Sequence, residues 1–293
     1  MKRNIINDLA KWKEHTNRKP LIIQGARQVG KTWVMKEFGR LFFENVIYIN
    51  FESSVRLQQL FQNDFDMQRI ISVLEIESGQ KFNPNSTLLI LDEIQEAEKG
   101  LTALKYFNEN APEYFVIAAG SLLGVSLQKN NTFPVGKVDF LNLYPMNFEE
   151  FLLNQNEDGL AQSLSTKNWD VIAPFHEKLT QLLRTYYFVG GMPEAVQNYI
   201  LNKNFEEVQK KKKNIVAGYE NDFAKYAPFE IVPKIRMVWQ SILGQLAKEN
   251  KKFIYGQIKK GARAKEFETA INWLTNAGLL HKCLKINKPT IPL

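Results

Sequence analysis

Short apolar runs alternate with longer stretches of helical periodicity through the first half of the chain. Leu21–Ile23, Val46–Phe51, Thr87–Leu91 and Phe115–Ala119 have the length of strands, and the residues between them recur at helical spacing. That alternation predicts an α/β fold, a parallel sheet flanked by helices, up to about residue 145. From Asn147 to about Glu220 no strand is expected. Segments such as PFHEKLTQLLRTYYFV and FEEVQKKKKNIVAGYENDFAKYA read as helices, with a break at Gly190-Gly191-Met192-Pro193. The Lys210–Lys213 run reads as a solvated helix face.

The last patterned stretch is KEFETAINWLTNAGLLHKCLKI. Phe267, Ala270, Ile271 and Leu274 fall at i, i+3, i+4 and i+7 and share one helical face, which Gly278 can close. Leu279–Ile286 is expected as a strand, and KFIYGQIKK as a preceding helix. Helix, turn, helix, strand is the order of a winged-helix module. The outward face of the main helix carries Glu266, Glu268, Thr269 and Asn272, and its two acids would repel phosphates in a groove. Three segments are therefore expected: a core over 1–146, a helical, lid-like segment over 147–220, and a winged-helix-like start of a C-terminal domain over 221–293.

Charge separates the last segment from the rest. The net charge is +7, yet residues 221–293 hold 13 Lys/Arg against 5 Asp/Glu, a net +8, and residues 1–220 hold 25 against 26. A basic module admits DNA as a partner. No run approaches the roughly 18 apolar residues of a membrane span, and MKRNIINDLAKWKEH lacks the apolar centre of a secretory signal. The expectation is a cytoplasmic protein without a membrane partner. Cys283, the single cysteine, excludes an internal disulfide and a thiolate metal cluster, and is expected as a small packed side chain. His15, His176 and His281 lack ligand-like spacing, which argues against a histidine metal site or a catalytic triad.

The chemistry enters after the first strand. GARQVGKT supplies Gly25, Gly30, Lys31 and Thr32 at the fixed positions of G-x-x-x-x-G-K-[ST]. Glycines there let consecutive backbone N–H groups turn inward on phosphates, and the following helix adds the positive end of its dipole. The loop with its flanks, Gly25, Ala26, Arg27, Gln28, Val29, Gly30, Lys31, Thr32 and Trp33, is the expected nucleotide cradle. Lys31 would reach the β- and γ-phosphates and the Thr32 hydroxyl would take a place on Mg²⁺. Arg27 could touch nucleotide or a neighbouring copy of the chain, which keeps a homo-oligomer among the expected partners.

Such a loop requires an acid at the end of a neighbouring buried strand. TLLILDEIQ provides Asp92 to hold the hydration shell of Mg²⁺ and Glu93 to orient and deprotonate a water. Glu93 argues for hydrolysis rather than storage. In YFVIAAGSLLG, Ser121 stands at the tip of the strand expected between the two motif strands; it would either meet the γ-phosphate or lytic water, or cap the next helix. Glu52, in NFES, reads as a solvated loop acid. Tyr186, Tyr187 and Phe188 read as helix-to-core packing.

Taken together, LIIQGARQVGKT, YINFES, LLILDEIQ, VIAAGSLL, FPVGKVDFLNLYPMNFEEFL and GGMPEAV resemble the bacterial and archaeal ATPases of the AAA+ superfamily that carry a C-terminal domain of unknown function. The resemblance covers essentially the whole chain. It implies a five-stranded AAA-type core in which Lys31 and Thr32 serve nucleotide and metal, Asp92 the Mg²⁺, Glu93 as catalytic base and Ser121 near the γ-phosphate. It also implies ATP rather than GTP. Family members commonly show Gly-Arg where this chain has Gly136-Lys137, so no transition-state arginine is assigned there, and similar proteins continue past NKPTIPL. The expected activity is Mg²⁺-dependent ATP hydrolysis coupled to the C-terminal module, with a slow, ATP-gated DNA-binding or regulatory switch as the alternative.

Overall fold

The computed structural model describes residues 1–120, 136–249 and 252–284. They divide into two compact units, Met1–Ala217 and Gly218–Leu293.

The first unit is built on a five-stranded, wholly parallel sheet: β1 (Leu21–Gln24), β2 (Asn45–Asn50), β3 (Thr87–Asp92), β4 (Phe115–Ala119) and β5 (Asp139–Asn142), in the order β2-β3-β4-β1-β5. β3 and β4 are buried at every position, because helices cover both faces of a parallel sheet and an unbroken apolar run suits both. The helices flanking the sheet are α1 (Ile5–Glu14), α2 (Lys31–Phe42), α3 (Met67–Ser78) and α4 (Gly100–Asn110). On α1, Ile5, Leu9 and Trp12 form the buried stripe, and Trp12 packs against Phe38 of α2. One apolar cluster fills one side of the sheet, from Ile47 and Phe51 through Leu89 and Leu91 to Leu104 and Phe107.

The four strands read from apolar runs are present. β5 is added to them. DFLN lies at the sheet edge with every second residue half-buried and the rest exposed, so it lacks the continuous apolar signature of the strands inside the sheet.

After β5 the first unit is helical: α5 (Phe148–Asn154), α6 (Asp158–Ser165), α7 (Trp169–Ile172), α8 (His176–Val189), α9 (Pro193–Asn202) and the first part of α10 (Phe205–Tyr226). Asn147 and Glu150 close a capping box at the start of α5. Of the expected aromatic cluster, Tyr186 packs with Phe148 and Phe151 and donates its hydroxyl to the Met146 carbonyl at 2.8 Å. Tyr187 and Phe188 are exposed instead.

In the second unit, α11 (Val232–Leu246) and α12 (Ala264–Asn276) pack together around Phe223, with Trp239 and Trp273 edge-on to its ring. Phe267, Ala270, Ile271 and Leu274 are buried as their spacing predicts, and Gly278 closes the helix at φ +72°. KFIYGQIKK departs from expectation, forming only a 3-10 turn over Tyr255–Gln257; its entry is tied down when the Ile254 N–H donates to Gln245 Oε1 at 2.6 Å. Among the described residues Leu279 to Leu284 pair with no strand, and the remainder of the expected wing, 285–286, lies outside them. Cys283 is exposed rather than packed. Among the described residues no helix is long and apolar enough to cross a membrane.

Candidate functional site

The chain leaves β1 at Gln24 and turns at once. Gly25 sits at φ +154°, and a Cβ there would lie 2.2 Å from the Leu143 carbonyl oxygen, because Leu143 N–H donates to the Gln24 carbonyl at 2.7 Å. Only glycine permits that approach. Gly30, at φ +94°, is the N-cap residue of α2, so the helix begins at Lys31 with its first N–H groups at the loop. Lys31 is buried, and its ammonium donates to the carbonyls of Gly25 and Ala26, both at 2.8 Å. Burial lowers the Lys31 pKa from 10.5 to about 8; Glu93 and Asp92 pull it back up and Arg27 adds to the fall.

Thr32, one residue further along α2, donates its hydroxyl to Asp92 Oδ2 at 2.7 Å. Asp92 ends β3 and is 3% exposed. A second hydroxyl reaches the same oxygen: Tyr48 of β2 donates to Oδ2 at 2.9 Å, and the Glu93 N–H donates to Oδ1 at 3.1 Å. Burial pushes the Tyr48 phenol up to about 12, so it stays protonated as a donor; the Asn50 amide lowers it and Asp92 raises it. Glu93 adopts a left-handed backbone at φ +50°, and its carboxylate accepts from Gln95 Nε2 at 2.5 Å. A carboxylate and a hydroxyl in contact are hard oxygen donors, and that set fits Mg²⁺.

These groups open on a cleft of about 470 Å³. Arg27, Gln28, Gly30, Lys31, Thr32, Trp33, Asp92 and Glu93 form one wall, and Met1, Arg3, Pro193, Glu194 and Gln197 form the other.

Residues 17–152 match the family model of an AAA domain, and residues 180–292 that of a domain of unknown function (DUF8612). The chain carries an AAA domain. It is similar in structure to the Walker-type ATPase paby2304 of Pyrococcus abyssi, at 15% identity over 93% of this chain and 88% of that one, with a TM-score of 0.54. The ORC1 protein of Aeropyrum pernix, solved in complex with DNA, matches at 13% identity over 94% of this chain and 82% of that one, with a TM-score of 0.36. Comparison with curated proteins gives no match.

Within this AAA domain the expected site residues group as follows. Lys31, Thr32, Asp92 and Glu93 come together at the C-terminal ends of β1 and β3, with β4 between those strands. Arg27, Gln28 and Trp33 also face the cleft, whereas Val29 and Ala26 are buried and Gly25 contributes backbone. Ser121 lies outside the described residues. Lys137 is held by Glu109 of α4 at 2.9 Å and is not among the cleft residues. Glu52 is exposed, away from the cleft lining.

The cleft's second wall was not foreseen. Arg3 donates from Nη1 to the Val29 carbonyl at 3.0 Å, from Nη2 to the Tyr144 carbonyl at 2.7 Å and from Nε to Glu150 at 3.1 Å. It thereby joins the N-terminal segment, the glycine loop and α5. Nothing in the sequence around one arginine ahead of an amphipathic helix marks that role. Pro193 did carry a signal, the GGMP break, which brings the start of α9 within 3.5 Å of where a Cβ on Gly30 would sit.

Proposed function

We propose that the AAA domain binds ATP with Mg²⁺ and hydrolyses it. One observation carries the reading: the Thr32 hydroxyl and the Asp92 carboxylate, 60 residues apart, meet at 2.7 Å beside the buried ammonium of Lys31. Chemistry that needs a metal-facing hydroxyl, a metal-facing acid and a phosphate-facing cation finds all three at one end of the cleft.

In this reading the backbone from Gly25 to Trp33 holds the triphosphate, and Lys31 exchanges its two carbonyl partners for phosphate oxygens. Thr32 and Asp92 would hold Mg²⁺, which supplies charge neutralisation at the phosphates. Glu93 takes a proton from a water as the water oxygen bonds to the γ-phosphorus; the bond from that phosphorus to the bridging oxygen breaks and ADP leaves. Ser121 keeps its proposed place near the γ-phosphate. ATP is preferred over GTP on the family resemblance.

Coupling to the C-terminal module is part of the proposal. Glu194, in the cleft wall, pairs at 2.7 Å with Lys211 of α10, the helix that leads into the second unit. Calorimetric titration with ATP and Mg²⁺ tests the binding step, and Glu93→Gln tests the chemistry. That variant is expected to bind ATP and to lose about 10²-fold or more in turnover, the contribution of a positioned base. Wild-type turnover in Glu93→Gln would remove Glu93 from the reaction, and absence of heat with the native protein would remove the nucleotide.

The alternative, a slow ATP-gated switch acting on DNA, is favoured by one feature. Lys248, Lys252, Lys259, Lys260, Arg263 and Lys265 are all exposed on the second unit. Binding of duplex DNA measured across salt should then weaken steeply, and no binding at low salt would exclude it.

A further inference from the structure

Asp92 is held by more than the glycine loop. In the register of the sheet Tyr48 lies opposite Ile90 and Asn50 opposite Asp92, so Tyr48 and Asp92 point to the same face of neighbouring strands, two positions apart. A phenol is long enough to span that diagonal, and Tyr48 Oη reaches Asp92 Oδ2 at 2.9 Å. Three features keep it there. The Asn50 amide donates to the phenol oxygen at 3.4 Å, leaving the phenol hydrogen for the carboxylate. The Lys36 ammonium lies 3.7 Å from the ring centroid, one helical turn after Thr32. Asp92 itself is nearly sealed from water and, when ionised, only accepts hydrogen bonds.

We propose that Tyr48 is a positioning residue that fixes the Asp92 carboxylate in the orientation needed to hold a divalent cation. This rests on the nucleotide reading above. Thr32 and Tyr48 donate to the same oxygen, yet their situations differ. The Thr32 hydroxyl oxygen is itself a donor atom for the cation, whereas the phenol has no such second duty, so its hydrogen bond can orient Asp92 throughout. Groups that orient a ligand without touching the metal contribute heavily to affinity, and removing them typically costs 10–100-fold.

The test is Tyr48→Phe, which keeps the ring over which Lys36 lies and deletes only the hydroxyl. The metal concentration that half-saturates ATP binding is measured by calorimetry with Mg²⁺ and with Mn²⁺, and kcat is measured at saturating metal. The expected result is a midpoint raised about tenfold for both cations, with kcat at saturation within about twofold of wild type. An unchanged midpoint, with or without a fall in kcat, would overturn the proposal. A wild-type protein whose ATP binding ignores divalent metal would overturn the metal site in the reading above, and one that binds no ATP the nucleotide itself, distinct outcomes because neither needs a variant.

Discussion

Arg3 and Glu150 are 147 residues apart in sequence and form a buried ion pair, Nε to Oε1 at 3.1 Å, with side chains 3% and 7% exposed. The carboxylate also accepts the N–H groups of Asn4 and Asn147, and the guanidinium holds the carbonyls of Val29 and Tyr144. The pair is thereby held by the N-terminal segment, the glycine loop, the segment after β5 and the capping box of α5.

Truncating one member of such a pair strands the other. Arg3→Met is expected to destabilise the first unit by about 3–5 kcal/mol, because Glu150 is left buried and charged. Arg3→Met combined with Glu150→Gln removes the charge and keeps one acceptor oxygen, enough for the N–H of Asn4 or of Asn147 but not both, and should recover part of that loss. Denaturant unfolding of the two variants checks it; equal losses would show that Glu150 does not depend on Arg3.

The cleft shows why part of the site was legible and part was not. Gly25, Gly30, Lys31 and Thr32 stand within eight residues, and their geometry follows from a loop between a buried strand and a helix. Asp92 and Glu93 follow a strand with an apolar signature on both faces. Arg3, Tyr48 and Gln197 carry no local pattern, because Arg3 and Gln197 reach the cleft through tertiary packing and the entry of α9, and Tyr48 reaches Asp92 through sheet register. The same limit applies to secondary structure. β5 is a half-exposed edge strand, and KFIYGQIKK is shaped by Gln245, a residue seven or more positions earlier.

In the proposed reading, Lys31 makes ATP binding depend on pH in a defined direction. Its folded-state pKa of about 8 lies below its ordinary 10.5, so below about pH 8 the folded protein carries a buried charge that the unfolded chain solvates freely. Lys31 therefore costs stability below about pH 8, and that cost is relieved as pH rises from about 8 to 10.5. Phosphate attraction runs the other way, since it needs the ammonium. ATP affinity should fall as pH rises above about 8, and Lys31→Met should bind weakly with a flatter profile. Parallel titrations of both proteins by calorimetry decide the point; identical slopes would mean that another group is titrating.

Gly191 ties the entry of α9 to the segment between β5 and α5. Its carbonyl accepts the Met146 N–H at 2.7 Å, and a Cβ would meet the Met146 carbonyl oxygen at 2.2 Å. Gly191→Ala should cost about 1–3 kcal/mol by overpacking and weaken ATP binding, since Pro193 and Gln197 follow directly. Gly159→Ala, in a helix with open space around it, is expected to be neutral or stabilising by about 0.5–1 kcal/mol. Thermal melts of both variants make the comparison, and an undisturbed Gly191→Ala would show that the contact can yield.

The two carbonyls that Lys31 already occupies bear on what the cleft will accept. An anion entering it must outbid Gly25 and Ala26 for an ammonium that already donates two hydrogen bonds at rest, so association is in part an exchange and only the surplus is felt as affinity. A small ion with few oxygens has little to offer against two well-formed partners. A polyphosphate tail brings many oxygens at once and can meet the loop amides and the lysine together, which makes the number of acceptors on the ligand a means of selection.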